Sequence, residues 1–170
     1  MVGKVLKVRR AGIAGFRLAT YRCLFVPKKL FESEKTMDVN LALLADSANI
    51  SREGKLNLLG IFNLIYAQSF PAVHPNMHLV VSFSTTNAEA GRTKQVEIQF
   101  LGPDGNKIGS ITGKFVVPKG EPGYPIQVNH IVPIPPLKFE KPGDYAFSIF
   151  VNEELKKEAS LRVLPLKPAK

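Results

Sequence analysis

A chain of 170 residues is enough for one domain and short for two, and its 45% hydrophobic and 22% charged residues are the balance of an ordinary soluble globular protein. A single cysteine, Cys23, excludes an internal disulfide and a cysteine-based zinc site, and fits a reducing, cytoplasmic setting. The formal charge of +9 invites nucleic acid or an anionic membrane as partner, but residues 1–36 hold nine basic and two acidic side chains while the remainder holds fourteen and twelve.

Residues 1–36 therefore decide whether the charge has a function. A secretory signal needs an unbroken apolar core, and Arg17 and Arg22 interrupt this one. A transmembrane helix needs about 20 apolar residues, and the chain contains no such run. A basic amphipathic helix on a membrane or an organelle transit peptide fits the Arg-rich, acid-poor composition better. A nucleic-acid-binding arm lacks aromatic residues interleaved with its charges. The plainest reading is a non-core extension, a disordered tail or sequence upstream of a start at Met37.

From Met37 the chain changes character. DVNLALLA, residues 38–45, is apolar on both faces and predicts a buried strand. ADSANISREGK predicts a turn-rich connection. KLNLLGIFNLIYAQSF, residues 55–70, predicts a strand bent or bulged near Gly60, breaking into two pieces. FPAVHPNM reads as a loop set by Pro71 and Pro75, and HLVVSFSTT as a strand. NAEAGR makes a turn or a short helical turn.

TKQVEIQFL alternates cleanly, with Val96, Ile98 and Phe100 inward. GPDGN is a turn in which Pro presets φ and Gly takes the left-handed position. KIGSITGKFVV pairs back as the second arm of that hairpin. PIQVNHIVPI is a strand with edge character, because Pro125 and Pro133 cannot donate to a ladder. DYAFSIFVN puts Tyr145, Phe147, Ile149 and Val151 on one face, and Asn152, Glu153 and Glu154 turn the chain into LKKEASLRVLP, the last strand.

About eight strands with turn signals every 8–12 residues, and no long helix, predict an all-β, immunoglobulin-like antiparallel sandwich. Gly-Asp-Tyr at 143–145 stands where such domains place an aromatic at a sheet corner. The domain is expected over residues 37–165, followed by a Lys/Pro-rich tail at 166–170.

The stretch 41–83 carries LALLAD at Leu41–Asp46, GKLN at Gly54–Asn57, Gly60 and Phe62, and Phe70, Pro71 and His74. In these elements the chain resembles a family of small uncharacterised bacterial proteins that carry a run like LALLAD a few residues after their initiator Met. The resemblance implies a start near Met37, and it carries over no catalytic residue, since it brings no assigned activity. The basic extension departs from it.

Few residues suggest chemistry. His74 and His78 share the i,i+4 spacing that clamps zinc on a helix, but Pro75 lies between them and the segment reads as loop running into strand; His130 joins only through the fold. IGSITG, residues 108–113, lacks the spacing of a nucleophile elbow. Glu153 and Glu154 lie in a hairpin turn. Asp46 at a strand end reads as a cap for turn amides. Phe62, Ile65, Tyr66 and Phe70 supply more apolar bulk than one face of one strand needs, so they are the candidate partner-binding residues. The expected function is a non-catalytic interaction or structural module without cofactor, binding an unknown protein partner or a second copy through a sheet edge or end loops. The alternatives are a nucleic-acid or anionic-membrane binder using the extension, and a metal-binding protein or enzyme centred on His74 and His78.

Overall fold

The structure is a computed structural model and describes residues 37–166. The readings placed on residues 1–36, Cys23 among them, and on most of the tail lie outside the described residues. Eleven strands are present among those described: β1 (Asp38–Ile50), β2 (Leu56–Phe62), β3 (Leu64–Ala67), β4 (Ala72–His74), β5 (Met77–Thr85), β6 (Thr93–Leu101), β7 (Lys107–Val116), β8 (Ile126–Ile134), β9 (Leu137–Phe139), β10 (Gly143–Val151) and β11 (Glu154–Pro165). A single 3-10 turn, Asn87–Glu89, occupies the NAEAGR segment.

One sheet runs β2-β1-β5-β8, a second runs β3-β11-β10-β6-β7, and β4 pairs with β9 alone. The pairing of β1, β5 and β8 against β11, β10, β6 and β7 is the strand order of an immunoglobulin-like sandwich. All pairings are antiparallel except β3 with β11, which is parallel.

The alternation read from sequence sets the core. Tyr145, Phe147, Ile149 and Val151 on β10 are all buried; they face Leu79, Val81 and Phe83 of β5 in the other sheet and stand beside Leu161 and Val163 of β11 in their own, in one cluster. Each such side chain contributes about 1.5–3 kcal/mol by leaving water. Tyr145 closes the corner ahead of β10: its hydroxyl donates to the Lys141 carbonyl at 2.7 Å, and its ring stacks on Phe100 at 5.6 Å between centroids. This is the corner that Gly-Asp-Tyr predicted.

Three expectations change. β1 does not stop at Ala45 but runs to Ile50, because β2 pairs with it from Leu44↔Phe62 to Ile50↔Leu56. Asp46, Ser47 and Asn49 are turn formers by composition, and the ladder holds them extended. FPAVHPNM is not a plain loop, since β4 within it forms a short ladder with β9. Segment 55–70 does break in two, at Asn63, and its halves join opposite sheets. Gly60 takes φ +66°, and a side chain there would collide with the Asp46 carboxylate. No register shift accompanies it, so the strand runs on past the glycine without a bulge.

Candidate functional site

His74 and His78 have separate neighbours. His74 on β4 packs its ring against Phe62 at 5.6 Å. His78 on β5 donates from Nδ1 to the Asp46 carbonyl oxygen at 3.1 Å. Among the described residues no group of three His, Cys, Asp or Glu side chains is placed to hold a metal ion. Asp46 is exposed and caps no turn amide. The IGSITG segment lies within β7, and Glu153 and Glu154 stand at the β10–β11 hairpin.

The apolar segment 55–70 divides by face. Phe62, Ile65 and Phe70 are partly buried against the core, so these three candidate partner residues point inward. Tyr66 is 59% exposed. The side chains that sequence reasoning missed are Leu59 and Ile61, exposed by 72% and 60%. Their partners on β1 are Ser47 and Ala45, next to the inward Leu44↔Phe62 pair. Leu59 and Ile61 therefore face out from the four-stranded sheet. Tyr66, beside the inward Ile65↔Val163 pair, faces out from the five-stranded sheet. Because the chain changes sheets at Asn63, these residues do not form one patch. β2 is an outer strand and contains no ionisable residue.

A second feature lies at the opposite edge. Between β7 and β8 the two sheets part around a cavity of about 140 Å³, floored by Val81, Phe83, Val96 and Ile98 and walled by Ile111, Gly113 and Phe115 on one side and His130 and Val132 on the other. His130 sits between the rings of Phe83 at 5.6 Å and Phe115 at 4.6 Å. Burial holds its pKa below the ordinary histidine value, which keeps this wall uncharged near neutral pH. Its Nε2 is buried without a hydrogen-bond partner. The signal for this cavity was present in KIGSITGKF: at period two the positions are Gly109, Ile111, Gly113 and Phe115, and two of the four bring no side chain.

Buried charge occurs next to this edge. Glu89 and Lys94 form an ion pair with both side chains 8% exposed, and Arg92 adds a bond from Nη1 to Glu89 Oε1 at 2.9 Å. Lys94 takes an inward position of the β6 alternation, and Glu89 on the preceding turn supplies its countercharge. Glu97 lies lower than usual in pKa, chiefly through its bond from Lys107 and then that from Gln99. Asp144 is lowered by the Arg162 guanidinium.

The strand order defines the class, an immunoglobulin-like antiparallel sandwich. Residues 40–164 match the model of a family of unknown function, DUF6941, and the chain belongs to that family. No curated protein matches it. Among solved structures it is similar to the Pseudomonas fluorescens alkylpurine DNA glycosylase AlkC bound to DNA containing an abasic site analog, at 11% identity and a TM-score of 0.45, over 75% of this chain and 30% of that one. It is also similar to an immunoglobulin-like protein from Pseudomonas aeruginosa, at 12% identity and a TM-score of 0.37, over 77% of this chain and 98% of that one. This chain thus spans less than a third of the glycosylase. No helix among the described residues is long and apolar enough to cross a membrane.

Proposed function

We propose that the protein is a non-catalytic interaction module that associates with a second copy of itself through the free edge of β2. The observation that carries this reading is a seven-residue outer strand, Leu56–Phe62, with no charge and with Leu59 and Ile61 exposed by 72% and 60%. Soluble folds protect such edges with lysine, proline or a bulge; Leu56–Phe62 has no lysine or proline and no register shift. An uncharged edge carries no charge pattern to select a foreign partner, and it is self-complementary about a two-fold axis. Antiparallel β2–β2 pairing would continue the four-stranded sheet across two molecules.

Light scattering after size-exclusion chromatography, over a range of micromolar concentrations, tests this. A concentration-dependent dimer is expected, and Ile61→Lys should return it to monomer. Because Ile61 is exposed, that change should alter the stability of the monomer by less than about 0.5 kcal/mol. A wild-type chain that stays monomeric at every concentration, or a dimer that Ile61→Lys leaves intact, overturns the reading.

A further inference from the structure

The cavity between β7 and β8 lies at the other side of the sandwich from β2, and what it can accept follows from three observations. The first is its origin. On β7 the residues facing the core are Gly109, Ile111, Gly113 and Phe115, opposite Phe100, Ile98, Val96 and Lys94 of β6. A side chain at 109 or 113 would occupy the space between the sheets; a Cβ built at either glycine meets no atom within 4 Å. Ile111 shows the same deficit from beside them, since it faces inward and is still 40% exposed. Neither glycine takes positive φ, so the backbone does not demand glycine here. The effect of these two residues is to leave the edge of the sandwich open.

The second is the shape and lining. An apolar cavity of about 140 Å³ is close to the size, on the order of 150 Å³, that takes one benzene-like ring. Phe83 and Phe115 lie 5.4 Å apart and tilted by 44°, with His130 edge-on to Phe83 at 80°. A further ring finds edge-to-face partners there. The third is the rim. Among the described residues β7 pairs only with β6 and β8 only with β5, so both rims of the opening are edges of their sheets. β8 carries Pro133 and is less able to accept a new strand, whereas β7 contains no proline. Along β7 and the segment after it stand Lys107, Lys114 and Lys119, before the first acid at Glu121. Lys107 is paired with Glu97; Lys114 and Lys119 have no ion pair among the described residues.

We infer that this opening binds an extended acidic peptide, which adds a strand to the edge of β7 and seats one phenylalanine-type ring in the cavity, against Phe83, Phe115 and His130. Strand addition pairs with the outer edge of β7 and directs alternate side chains of the peptide toward the space between the sheets. The acidic groups meet Lys114 and Lys119. The same charges disfavour the basic segment 1–36 of this chain as occupant, since it would bring nine cations and two anions to a cationic rim. The inference does not depend on self-association through β2.

The test uses the full chain, isotope-labelled, titrated with the peptide acetyl-Val-Glu-Phe-Glu-Val-amide, whose two Glu stand on the face opposite its Phe, and followed by backbone amide shifts. Saturable shifts along residues 108–116 are expected. Replacing the peptide's Phe by Ala should weaken binding at least tenfold, and replacing its two Glu by Lys should weaken it with a dependence on salt. The blocking variant is Gly113→Leu, which fills the opening from within. It should lose peptide binding while keeping or raising the unfolding midpoint, so failure to bind is not failure to fold. Equal binding by Gly113→Leu, or by the Ala peptide, overturns the inference. So does toluene shifting the cavity residues while the peptide leaves β7 unmoved, because the site would then be a pocket for small apolar molecules. Repeating the titration in Ile61→Lys separates the two surfaces: peptide binding should persist there, whether or not the chain dimerises.

Discussion

At the hairpin joining β10 to β11, Asn152 and Glu153 both take positive φ, 48° and 70°. Two such residues between paired strands make the type I′ turn whose twist matches the strands. Asn tolerates this region, and here its side chain is also used: Asn152 Oδ1 accepts from the Gln95 amide at 3.0 Å, and its own amide donates to the Gln95 carbonyl at 2.9 Å. Glu153 has no such compensation, and a non-glycine residue in this conformation costs about 1–2 kcal/mol. Part of that is offset by the greater freedom of glycine in the unfolded chain. Glu153→Gly is therefore expected to stabilise the domain by about 0.5–1 kcal/mol, read as a rise in the urea midpoint at unchanged slope; a fall would show that the turn is not strained. The sequence announced a turn at 152–154. It did not say which residue bears the strain, because that depends on the register the two strands adopt.

Among elements, the corner before β10 holds the end of the five-stranded sheet. Tyr145 is 3% exposed, its hydroxyl is bonded to the Lys141 carbonyl, and its ring lies against Phe100 and Phe139. Removing only the hydroxyl deletes one hydrogen bond while keeping the ring, so Tyr145→Phe should cost about 1 kcal/mol. Chemical denaturation followed by far-UV circular dichroism checks it, and an unchanged midpoint would mean the bond is not formed. This corner was legible from Gly-Asp-Tyr. β4 and β9 were not, because each is three residues long and lies among prolines. Three residues are too few for an alternation to stand out, and their pairing joins segments more than sixty positions apart. The extension of β1 through Asp46, Ser47 and Asn49 was hidden for a related reason. Turn propensity is local, and a paired neighbour overrides it.

For the whole molecule, the three groups with lowered pKa act in one direction. His130 is held below the usual histidine pKa by burial, so the unfolded chain takes up its proton first. Stability is complete above the unfolded value, about 6.5, and is lost as pH falls below it. Glu97 and Asp144 are also lowered, by Lys107 and Gln99 and by Arg162 respectively. Their contributions are present above the ordinary carboxylate range and are lost on further acidification. The domain should thus lose stability in two stages, the first between neutral pH and mildly acidic pH. His130→Phe should flatten that first stage in urea midpoints measured against pH and leave the second in place. An unchanged first stage would assign it to another group.

The sequence by itself determined which residues enter the core of the main strands, since side-chain direction along an extended chain alternates with every residue and needs no distant partner. It determined the corner tyrosine and the hairpin turns for the same reason: their chemistry lies within a few consecutive positions. It also held the two glycines of β7, although not their meaning. Only the tertiary structure decided that segment 55–70 changes sheets at Asn63, turning Phe62, Ile65 and Phe70 inward and leaving Leu59 and Ile61 outside. It alone decided that His74 and His78 have different neighbours, and that the space beside Gly113 stays empty. Whether a face is covered, and whether a cavity remains, depends on what stands opposite, and that is set by pairings between segments far apart in the chain.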